Sequence, residues 1–166
     1  MQKEDELVGI DRNWIIDGII GLSVGIAILL VGFLVPGIGT IGIPSLPQSL
    51  SSDVSKFIVV VLLASIFETF GFFDVILSFF YNKTRRFGLK MPFVISAVLT
   101  SITFSLFHLS AYQSFSASSG AFVTAFIMGL VFSYERRITL SNIPGVLTHM
   151  VLNFWLAFGS LAIVFG

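Results

Sequence analysis

The sequence predicts an all-α fold, a polytopic transmembrane helical bundle with about five membrane spans. Three observations carry this expectation. Of 166 residues, 55% are hydrophobic and 11% charged, less than half the roughly 25% charge of an ordinary soluble domain. Mean hydropathy is +0.99. The charges are clustered, with none between Asp17 and Asp53, none between Lys90 and Glu135 and none after Arg137. Nine basic and nine acidic groups cannot coat a water-soluble globule of this size. The zero net charge, with no basic patch, argues against a nucleic-acid partner. Without cysteine there is no disulfide framework, thiolate nucleophile or cysteine metal site. Nineteen phenylalanines and fifteen glycines suit a chain whose solvent is lipid, where small residues let helices approach closely.

A helix needs about 20 apolar residues to cross the hydrocarbon core. The first charge gap supplies one span, Ile15 to Val35, closed by Pro36 and Gly37. Residues 1–14 form an expected cytoplasmic tail, and 15–166 the transmembrane domain. The stretch from Gly37 to Asp53, rich in Gly, Pro and Ser, reads as a loop. The second span runs from Val54 to Tyr81 and carries two acids, Glu68 and Asp74. The gap after Lys90 is too long for one helix. It divides at the small, polar Tyr112–Gly120 stretch into Pro92–Ala111 and Ala121–Tyr134. The last span starts at Asn142 or Pro144. The acidic opening (Glu4, Asp5, Glu6, Asp11) does not suit a cleavable signal peptide.

Lys and Arg set the orientation. Lys3 and Arg12 precede the first span, Lys83, Arg85, Arg86 and Lys90 follow the second, and Arg136 and Arg137 follow the fourth. The intervening loops have no Lys or Arg. This alternation places the N-terminus inside and the C-terminus outside a multi-pass protein, expected in the cell membrane. Trp14 sits where an interfacial anchor belongs.

Four polar residues inside the spans require explanation: Glu68, His108, His149 and Asn153. A carboxylate at the bilayer centre costs about 2.5–3.5 kcal/mol on insertion scales, so such groups face the bundle interior or a wet cavity. His149 and Asn153 are four apart and share a helix face, as do Phe104 and His108. A lone His or Asn in a span is more often an interhelical hydrogen-bond partner, worth about 0.6 kcal/mol. A carboxylate, two imidazoles and an amide on three spans argue for more than glue. Asp74, six residues after Glu68 and nearer the inner end, reads as an interfacial group.

Two chemistries suit the quartet. Glu68 can act as general base on a water that attacks a peptide carbonyl; one His then holds the water, and the other, with Asn153, donates to the oxyanion. No cofactor is required on that route. Alternatively Glu68, His108 and His149 bind a metal, zinc, with an open position for water. No H-E-x-x-H spacing is present, and the residues leave both routes open.

The segment Ile66 to Phe73 resembles the first motif, E-E-x-x-x-R, of the CPBP intramembrane proteases, the CAAX prenyl protease 2-like or Abi family. Phe104 to His108 resembles the second, F-x-x-x-H. His149 to Asn153, after Ile143-Pro144-Gly145, resembles the third, H-x-x-x-N. The resemblance covers a protease-like core, residues 56–158. It implies that Glu68 and His108 activate water, that His149 and Asn153 stabilise the oxyanion, and that the reaction is intramembrane peptide hydrolysis. The family has carried a metalloprotease label, while a metal-free glutamate mechanism fits the quartet as well.

Two positions depart from the first motif: Thr69 replaces its second glutamate and Phe73 its arginine. Fuller relatives have more spans before the core, so a bundle this small is expected to enclose its site through a homo-oligomer or partner. At face value the spans place His108 towards the outer surface and Glu68 and His149 near the middle, so tilt or an extended third span is expected. The expected partners are membrane lipid and a peptide or membrane-protein substrate, with peptidase chemistry rather than a prenylated substrate as the prediction. The competing expectation is a catalytically inactive membrane protein, an immunity factor or scaffold, whose quartet only packs helices. Transport ranks third, because paired discontinuous spans are not evident.

Overall fold

The computed structural model describes residues 14–34, 53–109 and 115–164, and among them every regular element is helical. In chain order these are α1 (Trp14–Leu34), α2 (Asp53–Arg86), α3 (Pro92–Leu109), α4 (Phe115–Thr139) and α5 (Ile143–Val164). The helices α2 and α3 are long and apolar enough to cross a membrane. Lipid offers backbone groups no partner, so a spanning segment must satisfy them within its own helix.

Each expected span corresponds to a helix, with shifted ends. The second helix continues past Tyr81 to Arg86, because Asn82–Arg86 keeps helical winding after hydrophobicity ends. The expected Tyr112–Gly120 loop is corrected: helix α4 already begins at Phe115, since serine and alanine, small and polar as they look, are acceptable in a first helical turn. At its other end α4 extends beyond Tyr134 to Thr139. Helix α5 starts at Ile143, which puts Pro144 in the first turn, where its missing N–H is harmless. The expected tail and most of the expected Gly37–Asp53 loop lie outside the described residues.

Polarity is inverted relative to a soluble protein. Ser65, Thr69, Ser96, Thr100, Ser101, Ser105, Ser133 and Thr148 are buried, whereas Phe67, Val75 and Phe107 are exposed. Small residues bring helices close, and hydroxyls can be satisfied by their own helix. Ser101 and Ser105 donate to the carbonyls of Ala97 and Ser101, each at 2.7 Å. Among large side chains the buried cluster is aromatic: Phe73, Phe104 and Phe132, with Ala125. Their rings meet edge to face at 5.2–6.2 Å, the favoured arrangement for aromatic quadrupoles.

Helix α3 packs along α4, α1 along α5, and α2 against both α3 and α5. Two glycines allow the closest approaches. A Cβ on Gly21 would lie 2.5 Å from the Pro144 carbonyl oxygen, and one on Gly129 would lie 2.8 Å from Ser101 Cα. At both points backbone meets backbone and cannot yield. Gly71, by contrast, faces open space.

Gly21→Val is therefore expected to destabilise the protein by about 1–3 kcal/mol, the usual cost of overpacking, read as earlier thermal unfolding in detergent. Gly71→Ala should leave stability unchanged or slightly raised, because alanine is the better helix former. Equal melting of Gly21→Val and wild type would show that the α1–α5 contact does not bear load.

Candidate active site

Helix α2 is not uniformly α-helical. It winds as a π-helix over Phe57–Ala64 and again over Gly71–Ile76, leaving Ser65–Phe70 as an α-helical stretch between them. Glu68 lies in that short stretch. Runs of π-helix widen the turn and free carbonyls from regular pairing, and they concentrate at functional sites. Here the carbonyl of Val60, inside the first π run, accepts from Asn153 Nδ2 at 3.0 Å. The same amide nitrogen donates to Ser65 Oγ at 3.1 Å. Asn153 thereby ties α5 to α2 one turn before Glu68.

The structure brings Glu68, His108 and His149 together from three helices. Glu68 Oε2 lies 3.3 Å from His108 Nε2 and 3.6 Å from His149 Nε2. Yet Oε2 is buried and makes no aligned hydrogen bond among the described residues. His108 Nδ1 contacts the Phe104 carbonyl at 2.8 Å. A carbonyl only accepts, so Nδ1 carries the hydrogen, and a neutral ring presents its Nε2 lone pair to the site. Two acceptors, Glu68 Oε2 and His108 Nε2, then converge on one spot. A water fits such a place because it donates twice. Phe104 walls the cluster, its ring 4.3 Å from that of His108 and 6.1 Å from that of His149. His149 also stacks on Phe132 at 5.2 Å.

The positions that depart from the first motif are both buried. Phe73 belongs to the aromatic cluster, and Thr69 Oγ1 lies 3.4 Å from His149 Nδ1. Asp74 pairs with Arg136 at 3.0 Å, so the arginine of α4 serves Asp74, while the neighbours of Glu68 are the two histidines. For a metal, three donors must converge on one point; among the described residues no group of three His, Asp or Glu is so arranged.

Depths expected to conflict come into register once the helices are followed from the Asp74–Arg136 pair, at about 1.5 Å per residue. Glu68 is six residues from Asp74, at most about 9 Å, since residues 71–74 wind as π-helix and advance less per residue. Thr84 lies about 15 Å beyond Asp74 in the opposite direction, and its Oγ1 lies 3.2 Å from the Pro92 carbonyl oxygen. His108 is about 24 Å along α3 from Pro92, which returns it to the level of Glu68. His149 is six residues into α5, again about 9 Å. On this count the α2–α3 hairpin runs past the α4–α5 turn, which brings the three depths together; the expected extension of the third span towards Tyr112 lies outside the described residues. A separate cavity of about 340 Å³ lies at the level of the ion pair, with Trp14, Asp17, Phe70, Asp74, Arg136 and Asn142 in its walls.

Sequence reasoning missed Glu135. It reads as the charged end of a span, but it is 2% exposed, and its Oε1 accepts from Thr148 Oγ1 at 2.7 Å. The Thr148 hydroxyl also lies 2.8 Å from the Gly21 carbonyl oxygen. Thr148 thus joins α1, α4 and α5 beside His149. The available signal was the run of small and hydroxyl residues facing this point, which marks an interior.

A family model described as Type II CAAX prenyl endopeptidase Rce1-like matches residues 50–155. No curated protein matches the chain, and no solved structure does.

Thr148→Val keeps the shape but removes the hydroxyl, whose one hydrogen then no longer serves Glu135 Oε1 or the Gly21 carbonyl. It should lower stability by about 1–3 kcal/mol in detergent unfolding, with Thr148→Ser close to wild type. Equal stability for the valine variant would mean that packing alone holds this junction.

Proposed function

Because the chain belongs to the Type II CAAX prenyl endopeptidase Rce1-like family, a family of proteases, we propose that it is an intramembrane endopeptidase that hydrolyses a peptide bond with Glu68-activated water. The observation that carries this reading is Glu68 Oε2, buried and without an aligned partner among the described residues, within 3.6 Å of an imidazole nitrogen from each histidine. An orphaned buried acceptor at such a junction calls for a water or a reacting group.

The water donates one hydrogen to Glu68 Oε2 and the other to His108 Nε2, leaving an oxygen lone pair for the carbonyl carbon. Glu68 takes the proton as the C–O bond forms. General-base assistance of this kind supplies about 10²–10⁴-fold. The carbonyl oxygen becomes an oxyanion and accepts from His149 Nε2 and from Asn153, whose amide exchanges Ser65 for the substrate. Each such donor is worth about 10²–10³-fold in a site shielded from water. Protonated Glu68 then hands its proton to the leaving nitrogen as the C–N bond breaks, yielding a carboxylic acid and an amine.

In the membrane, all five helices span, with the basic α2–α3 hairpin and the α4–α5 turn inside. The site then lies about 9 Å below the inner ion-pair level and is reached from the cytoplasmic leaflet. That depth supports a substrate held by a lipid chain whose scissile bond sits just within the headgroups, so a prenylated C-terminal peptide is the first substrate to test. This route requires no cofactor.

In liposomes, wild type should cleave such a peptide, while Glu68→Gln, His108→Ala and His149→Ala each lose at least about 100-fold in kcat/KM and remain folded. Chelator should leave the rate unchanged; loss with chelator and rescue by zinc would replace the water mechanism with a metal one. Identical traces for wild type and all three variants would favour an inactive scaffold. Because the chain has no cysteine, orientation can be read separately. A single Lys90→Cys should react with an impermeant maleimide only from the cytoplasmic side.

A further inference from the structure

We infer that Thr69 is a positioning residue: its hydroxyl donates to His149 Nδ1 and so holds the hydrogen of a neutral His149 ring on Nε2, facing Glu68. This inference rests on the hydrolytic reading of the Glu68 site and assigns a task to a position that departs from the family motif.

Thr69 and His149 are both buried, at 1% and 5% exposure. Their contact, Oγ1 to Nδ1 at 3.4 Å, is the only hydrogen bond of the Thr69 side chain among the described residues. Distance alone permits either direction, since a hydroxyl donates and accepts. Two arguments select one. Ser96, Ser101, Thr103 and Ser105 each spend their hydrogen on the carbonyl four residues back. Thr69 makes no such bond to Ser65. If it accepted from His149 it would strand its own hydrogen in a dry interior, which is costly. With His108 Nε2 already an acceptor, the reversed direction would also turn His149 Nε2 into a lone pair 3.6 Å from Glu68 Oε2, three acceptors at one junction with no donor among them for an oxyanion. With Thr69 donating, both faults vanish.

The two imidazoles are then held in opposite tautomers by different partners. The Phe104 carbonyl keeps hydrogen on His108 Nδ1, so His108 Nε2 accepts. Thr69 keeps hydrogen off His149 Nδ1, so His149 Nε2 donates. One histidine is shaped to grip a water and the other to meet an oxyanion, as the proposed reaction requires. A carboxylate at position 69, as in the motif, would draw hydrogen onto Nδ1 and reverse His149 unless the ring were charged. Thr69 lets a neutral ring do the work.

Nitrogen-15 NMR of imidazole-labelled protein in bilayers, without a histidine tag, reads the tautomers directly. The chain has two histidines, and a His108→Gln sample assigns them. Wild type should show His149 with hydrogen on Nε2 and His108 with hydrogen on Nδ1. Thr69→Val should shift His149 away from that form, and Thr69→Ser should preserve it. His108 should stay constant in both and report an intact fold. Cleavage by Thr69→Val should fall about 10- to 100-fold in kcat, the range for losing a group that orients a functional histidine, with KM little changed and Thr69→Ser restoring the rate. Hydrogen on Nδ1 of wild-type His149 overturns the inference whether or not the valine variant folds. So does an unchanged His149 in folded Thr69→Val. If the tautomers are as expected but wild type cleaves nothing, the protease reading fails and the positioning contact stands.

Discussion

The constraint on which everything else depends is the demand, imposed by hydrocarbon, that each polar group find its partner within the protein. It explains why Ser, Thr, Glu135 and His149 share the interior with Phe73, Phe104 and Phe132 while Phe67 and Phe107 face outwards. It also gives the few unsatisfied atoms meaning. Most buried hydroxyls lean on their own helix or bridge to a neighbour, as Thr148 does between α1 and α4. Against that background Glu68 Oε2, crowded by two imidazoles yet aligned with neither, stands out as a place kept for something that arrives.

The same constraint makes precise helix placement a condition of the chemistry. Glu68, His108 and His149 come from separate helices, so their spacing is only as good as the seams between those helices. Gly129 against Ser101 sets the approach of α4 to α3, and Gly21 against Pro144 sets that of α1 to α5. Asn153 pins α5 to the π-helical part of α2. The loss of both the second glutamate and the arginine from the first motif removes opposite charges together. An aromatic ring in the core and a hydroxyl beside His149 stand in their place.

Much of this was legible in the sequence because lipid turns charge into a ruler. Gaps between charged clusters, with the small, polar Tyr112–Gly120 stretch dividing the longest of them, marked an apolar segment for each helix, and four-residue spacings located His108 and Asn153 relative to their neighbours. The three titratable members of the quartet could be named from polarity alone. Their common depth could not. That depends on the α2–α3 hairpin running past the α4–α5 turn, and apolar runs do not record how far a helix continues once it leaves the membrane. The π-helical winding of α2 was equally hidden, since Phe57–Ala64 reads as any apolar stretch. Glu135 misled because a charge at the end of a span ordinarily signals solvent, and only the folded packing of Gly21, Thr148 and Gly145 makes it interior. Thr69 read as a loss because a motif records residue types and not the hydrogen each supplies.

The mixed winding of α2 bears on how the chain tolerates change in length. Along an α-helix each residue advances the face by about 100°, so an insertion or deletion normally throws everything beyond it out of alignment. A π-helical turn already accommodates surplus residues. Losing one residue within Phe57–Ala64 can be absorbed by reversion to tighter winding, with Glu68 and all that follows keeping their facing. The same loss within Ser65–Phe70, where there is no surplus, would rotate Asp74 and the rest of the helix against Glu68. The helix that carries the central carboxylate thus has slack on either side of it and none at it, which divides α2 into stretches that evolution can shorten and one that it cannot.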